Sequence, residues 1–145
     1  IALHIYPVTG NALPTAIAAA DLAHQHNKRV ILDEAWLYKM SAREPPVSIA
    51  GNAEIFRRDA YGFWAPLDQK FLALVAKLAR AKKIEYVSVF WAQYLYAYLD
   101  YHPKYQTMPY NDVMTQLNAI VTPNVLAGKL SATGEFYKQL SQGAR

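Results

Sequence analysis

The sequence predicts an α/β fold with a parallel sheet, because three short apolar segments alternate with segments of helical character. We predict strands at residues 1–7, 29–35 and 86–91, with a helix-forming stretch after each of the first two. Alternating units of this kind place their strands parallel and pack their helices across the sheet. The chain has 145 residues, which is enough for one domain with a core.

The first half of the chain carries clear boundary signals. Pro7 ends the first predicted strand, and the loop that follows it contains the turn signal Thr9-Gly10-Asn11. Pro14 suits the first turn of a helix, and alanine-rich residues from Thr15 to Asn27 continue it. These small side chains suit close packing against a sheet.

After the second strand the chain continues with a long irregular stretch, residues 36–66, and then with its clearest helix, residues 68–82. The apolar positions of this helix repeat at intervals of three and four residues, at Phe71, Leu74, Val75, Leu78 and Ala79. Two further helices are predicted at 111–121 and 133–142 after the third strand. The last is expected to bury Phe136, Tyr137 and Leu140.

The composition excludes several classes of protein. No cysteine is present, which rules out disulfides and thiolate metal sites. The net charge of +4 is spread over helix faces and does not interleave with aromatic residues, so we expect no nucleic-acid partner. No apolar stretch approaches the ~20 residues that span a bilayer, so we expect no membrane partner either. We expect no cofactor, and the cellular compartment stays open.

The most informative residues stand at the end of the second predicted strand. Residues 29–32 suit a buried strand, and Asp33 and Glu34 follow directly, with Trp36 close behind. Buried carboxylates are costly unless they are paired or used, and ligands gather at the C-terminal ends of parallel strands. Because side chains alternate along a strand, we expect Glu34 on one face and Asp33 on the other. Glu34 is therefore the leading candidate for a functional residue.

The ends of the other two strands also carry polar or aromatic side chains. His4 and Tyr6 share one face of the first strand, and Trp91 ends the third. With Glu34, these side chains would surround one polar ligand. Trp36 and Trp91 would each offer a flat face on which a ligand stacks.

These segments resemble a known family. His4-Ile5-Tyr6-Pro7, the segment 31–36 and the segment 87–91 are similar to strands six, seven and eight of a (β/α)8-barrel retaining glycoside hydrolase. The superfamily is the one that contains cellulases, β-mannanases and β-galactosidases. Residues 130–137 also resemble the final barrel helix of such enzymes.

The resemblance implies both a site and an incomplete barrel. It makes Glu34 the nucleophile, Tyr6 and His4 the residues that orient it, and Trp91 the floor of the sugar subsite. The acid/base glutamate that follows strand four has no counterpart among residues 1–145. We therefore expect residues 1–145 to be the C-terminal three βα units of a TIM-barrel catalytic domain, inactive in isolation. The expected partners are a carbohydrate substrate and the remainder of the barrel, in the same polypeptide or an associated chain.

The residue types suit the implied chemistry. A retaining glycosidase attacks the anomeric carbon with one carboxylate and protonates the leaving oxygen with another, ~5–5.5 Å away. The nucleophile must be ionised, and a hydrogen bond donated by a tyrosine hydroxyl such as that of Tyr6 favours this state. His4 would bind a hydroxyl of the substrate.

Plainer interpretations of the acidic residues stay open. Glu34 could form a structural salt bridge with Arg29 or Lys39, as charged residues at strand ends often do. Asp33 is expected to be structural because it faces away from Glu34, and Asp59 in the long loop is expected to be exposed.

Two other functions are also considered. A metal-dependent sugar isomerase or hydrolase barrel would use His4, Asp33 and Glu34 as ligands. A non-catalytic flavodoxin-like module would need an anion-binding loop after its first strand. The loop at residues 7–12 contains one glycine and makes an unconvincing anion cradle.

Overall fold

A three-stranded sheet with helices packed against it forms the described part of the chain. The computed structural model describes residues 1–7, 11–41, 44 and 53–143. In chain order the main elements are β1 (Ala2–Ile5), α1 (Ala12–Gln25), β2 (Ile31–Ala35), α2 (Ala53–Arg58), α3 (Ala65–Ala81), β3 (Val87–Val89), α4 (Tyr110–Leu126) and α5 (Ala132–Gln142). Short 3-10 turns occupy Gly62–Trp64, Ala92–Leu95 and Pro103–Gln106.

The sheet confirms the predicted α/β class. Its strand order is β1-β2-β3, and both pairs of neighbours are parallel. The strands are shorter than predicted, but the hydrogen bonding continues beyond them. The amide of Ile31 donates to the carbonyl of Ile1, and that of Phe90 donates to the carbonyl of Ala35. The predicted turn at Thr9-Gly10-Asn11 lies mostly outside the described residues.

A bulge interrupts β2 at its acidic end. Leu3 pairs with Leu32, whereas the next residue of β1, His4, pairs with Glu34. Asp33 is therefore the extra residue of the second strand. The expected alternation of side chains fails here, and the buried residues of β2 are Leu32 and Ala35. A bulge of this kind re-aims side chains and often lies beside a functional site.

Helices α1 and α3 cover the sheet. The alanine face of α1, formed by Ala16, Ala20 and Ala23, is buried as its composition predicts. The apolar face of α3 differs from the prediction, because Leu72 is buried and Leu74 is 46% exposed. The reason is that α3 packs against α5 as well as the sheet, which turns its buried face towards α5.

The segment after β2 is held by a buried ionic cluster, which we define as Lys39, Asp59 and Asp68. Lys39 Nζ lies 3.1 Å from Asp59 Oδ1 and 2.5 Å from Asp68 Oδ1, and it donates to the carbonyl of Leu37 at 2.8 Å. The Tyr98 hydroxyl donates to Asp68 Oδ2. The prediction that Asp59 is exposed is wrong, because its pairing with Lys39 offsets part of the cost of burying the carboxylate.

Asp59 makes the stability of the fold depend on pH. Burial raises the pKa of Asp59 to about 6, against the pull of Lys39. The unfolded chain therefore loses this proton first, and the free energy of unfolding decreases as the pH rises from about 4 to about 6. The contribution is about 3 kcal/mol. We expect Asp59→Asn to remove this slope in urea unfolding measured across that range, and an unchanged slope would contradict the assignment.

The C-terminal helix is fixed at its start by a close approach. Ser131 Oγ accepts from the amide of Gly134 and donates to the carbonyl of Tyr94. A Cβ on Gly134 would lie 2.0 Å from the carbonyl oxygen of Leu95, so glycine is required there. Phe136, Tyr137 and Leu140 were expected to be buried, but all three are half-buried. Thr133 and Gly134 are the residues that α5 buries.

In the ranges that the structure describes, no helix is both long enough and apolar enough to span a bilayer.

Candidate active site

Tyr6 and His4 both contact Glu34, as the sequence predicts. The Tyr6 hydroxyl donates to Glu34 Oε2 at 2.5 Å, and His4 Nδ1 lies 3.3 Å from the same oxygen. The parallel pairing of β1 with β2, with His4 opposite Glu34, produces this convergence. The Glu34 side chain is 34% exposed, so a ligand has access to it.

The protonation of Tyr6 suits a hydrogen-bond donor. Burial and the hydrogen bond to Glu34 raise its pKa above the ordinary tyrosine value. The hydroxyl therefore keeps its proton through the physiological range. A stacked neighbour, Tyr38, has a pKa raised to about 12 by burial and by the charge of Asp59.

Asp33 joins the site, contrary to the expectation that it faces away from Glu34. Its Oδ1 lies 3.1 Å from His4 Nε2, so each ring nitrogen of His4 faces one carboxylate. The cause is the bulge, which brings two consecutive acidic residues to one side of the sheet. The His4 side chain is 51% exposed and that of Asp33 is 37% exposed.

A closed ring of aromatic side chains adjoins the carboxylate. Each ring contacts the next, with centroids 4.7 to 6.0 Å apart, in the order Tyr6, Tyr38, Phe56, Trp91, Phe90 and back to Tyr6. Tyr6 and Tyr38 are stacked, with 7° between their planes. A cavity of about 300 Å³ borders His4 and Tyr6 on the side of α1. Tyr6, which donates to the carboxylate, therefore belongs to an apolar wall and also borders an open cavity.

Trp36 does not belong to this wall, and the prediction that it offers a stacking face is wrong. Its side chain is 0% exposed and packs on Tyr94 at 5.3 Å between ring centroids. The Lys39 ammonium lies over the ring, 4.8 Å from its centroid. The bulge at Asp33 shifts the alternation, so Trp36 enters the core below the strand ends.

Trp91 lies where the sequence predicts, at the end of β3. Its ring is half-buried and contacts Phe90 and Phe56. Within the described residues its Nε1 has no hydrogen-bond partner. The ring is therefore held by edge-on and tilted aromatic contacts while part of its surface is exposed.

The structural salt bridge considered for Glu34 is not formed. Arg29 pairs with Glu85 instead, and Lys39 pairs inside the buried ionic cluster. Within the described part of the chain, the polar side chains in contact with Glu34 are those of Tyr6 and His4.

The alternative functions gain no contact that supports them. Within residues 1–7, 11–41, 44 and 53–143, no group of three His, Asp or Glu side chains has the arrangement of a metal site. His4 contacts both Asp33 and Glu34, but each carboxylate faces one of the two ring nitrogens that a metal would need as ligands. Residues 8–10 of the anion loop considered for a flavodoxin-like module lie outside the described residues.

Sequence reasoning missed four residues of the site, namely Asp33, Tyr38, Phe56 and Phe90. The alternation of side chains in a regular strand predicts the wrong face for Asp33. The bulge that changes its direction gives no signal in the sequence, because no glycine marks it. Tyr38 and Phe56 come from a stretch predicted to be irregular. The density of aromatic residues in that stretch was the one available signal.

We compared the chain with protein-family models, with curated proteins and with solved structures, and found no match. A proposal for its function therefore rests on the fold and on the geometry around Glu34.

Proposed function

We propose that this chain is the C-terminal three βα units of a (β/α)8-barrel retaining glycoside hydrolase, with Glu34 as its nucleophile. The observation that carries the proposal is the convergence of Tyr6 Oη and His4 Nδ1 on a single oxygen of Glu34. The Tyr6 hydroxyl as donor and the imidazole beside the same oxygen orient the carboxylate and leave its other oxygen to attack. The parallel order β1-β2-β3 is the order that consecutive strands of such a barrel would have.

The surrounding side chains have roles that fit a sugar substrate. A protonated Tyr6 stabilises the charged nucleophile before attack, and its hydrogen bond weakens as the glycosyl ester forms. Trp91 offers an apolar face to the axial hydrogens of a sugar ring, as aromatic side chains do in carbohydrate sites. The second carboxylate, which protonates the leaving oxygen, comes from protein outside residues 1–145 under this proposal.

The test uses the intact protein and three activated substrates, the aryl β-glucoside, β-mannoside and β-galactoside. We expect release of the aryl alcohol from at least one of them. Proton NMR of the first product should show the β-anomer, because a double displacement retains configuration. An α-anomer as first product would contradict a retaining mechanism, and no release from any of the three would contradict the proposed function.

Trp91→Ala is expected to raise KM and lower kcat while costing less stability than the loss of a core tryptophan. The matched variant is Trp36→Ala, whose ring is fully buried and whose removal should cost about 3–5 kcal/mol of unfolding free energy. Kinetics and thermal unfolding of both variants test this contrast. Equal losses of stability with unchanged kinetics for Trp91→Ala would mean that its ring is only core.

A further inference from the structure

We infer that Asp33 is a positioning residue that acts on the nucleophile through His4. The inference rests on the proposed function, since Glu34 has to be the attacking group for its orientation to matter. Asp33, His4 and Glu34 form a continuous line of contacts, 3.1 Å and 3.3 Å long, across one imidazole ring.

The backbone creates this line by a local irregularity. In a regular strand the two carboxylates would point to opposite faces, and only Glu34 would reach His4. The extra residue in β2 places Asp33 beside the imidazole as well. Bulges next to active sites commonly serve to re-aim one side chain.

The environment of Asp33 indicates that its partner is His4. Its Oδ1 is buried, and in the described part of the chain it makes no hydrogen bond of good geometry. His4 Nε2 is the polar atom within reach, at 3.1 Å. A small rotation of the ring would complete a hydrogen bond and satisfy the buried oxygen, which favours this contact over exposure of the carboxylate.

The chemical consequence concerns the orientation of His4. The ring is about half exposed, so without a second contact it would turn about its Cβ–Cγ bond and move Nδ1 away from Glu34. Each ring nitrogen of His4 faces one carboxylate oxygen, so the contact with Asp33 opposes this rotation. Asp33 thereby keeps Nδ1 directed at Oε2. Among the residues that the structure describes, the other titratable groups facing the nucleophile are the hydroxyls of Tyr6 and Tyr38.

The test compares Asp33→Ala and Asp33→Asn with the intact protein, on whichever of the three aryl β-glycosides the protein hydrolyses. Asp33→Ala should lower kcat about 10- to 100-fold with little change in KM, because misorientation affects the reacting groups more than binding. Asp33→Asn keeps an oxygen that accepts from His4 Nε2, and should recover most of kcat. Asp21→Ala, which removes an exposed carboxylate paired with Lys82, is the matched control and should leave kcat unchanged.

The outcomes separate this inference from the proposed function. A protein that hydrolyses none of the three substrates would overturn both. Hydrolysis by the unmodified protein, with kcat unchanged in Asp33→Ala, would overturn the role of Asp33 alone. Asp33→Ala and Asp33→Asn could also lose kcat equally and lose melting temperature equally. That result would assign Asp33 to stability and would also overturn its positioning role.

Discussion

Glu34→Gln is expected to lower kcat of the intact protein by several orders of magnitude while KM changes little. The amide cannot attack the anomeric carbon, but it keeps the size of the side chain and an oxygen that accepts from Tyr6. Removal of a covalent nucleophile has effects of this size in other hydrolases. The measurement is steady-state kinetics on an activated aryl glycoside.

The control for this variant is Glu85→Gln. Glu85 is a glutamate just before β3 that pairs with Arg29 at the surface, so its replacement should leave kcat unchanged. An exposed pair of this type contributes little to stability, because water and salt screen it. If Glu34→Gln retained activity close to that of the Glu85 variant, Glu34 would not be the nucleophile.

Lys39→Ala is expected to cause the largest loss of stability among the charged residues discussed. It leaves Asp59 and Asp68 buried without their cation, and it removes the ammonium that lies over Trp36. Breaking a buried ion pair by removing one partner costs about 3–5 kcal/mol. The loss should be smaller near pH 5 than at pH 7, because Asp59, whose pKa is about 6, then carries a proton.

The matched variant for the buried cluster is Lys82→Ala. Lys82 pairs with Asp21 at the surface, with its own side chain partly exposed, and its loss should cost under about 1 kcal/mol. Urea unfolding of both variants at pH 5 and pH 7 gives the comparison. Similar losses for Lys39 and Lys82 would mean that the buried cluster contributes no more than a surface pair.

Most elements were predictable because each has a local signal, but the prediction of an irregular stretch over 36–66 is wrong at α2, Ala53–Arg58. Alternating short apolar runs and helical periodicity predicted the order of strands and helices. His4, Tyr6 and Glu34 were predicted together because all three stand at the ends of neighbouring parallel strands. This part of the site depends on strand order, which the alternation of elements determines.

What could not be predicted depends on contacts distant in the sequence. The buried cluster joins Lys39, Asp59 and Asp68 from separate segments, and no spacing rule connects them. Trp36 was predicted to stack on a ligand, because the bulge at Asp33 leaves no mark in the sequence. That bulge shifts the directions of the side chains that follow it. Both errors concern tertiary packing, which overrides local pattern.

The most direct test of the account is covalent labelling of the nucleophile. The intact protein would be treated with activated 2-deoxy-2-fluoro-β-glycosides of the glucose, mannose and galactose series, which accumulate the glycosyl-enzyme ester. After proteolysis, mass spectrometry should find the mass of one fluoroglycosyl group on the peptide that contains Glu34. The Glu34→Gln variant should show no such mass. A label on a different carboxylate, or a label of equal yield in the Glu34→Gln variant, would contradict the account.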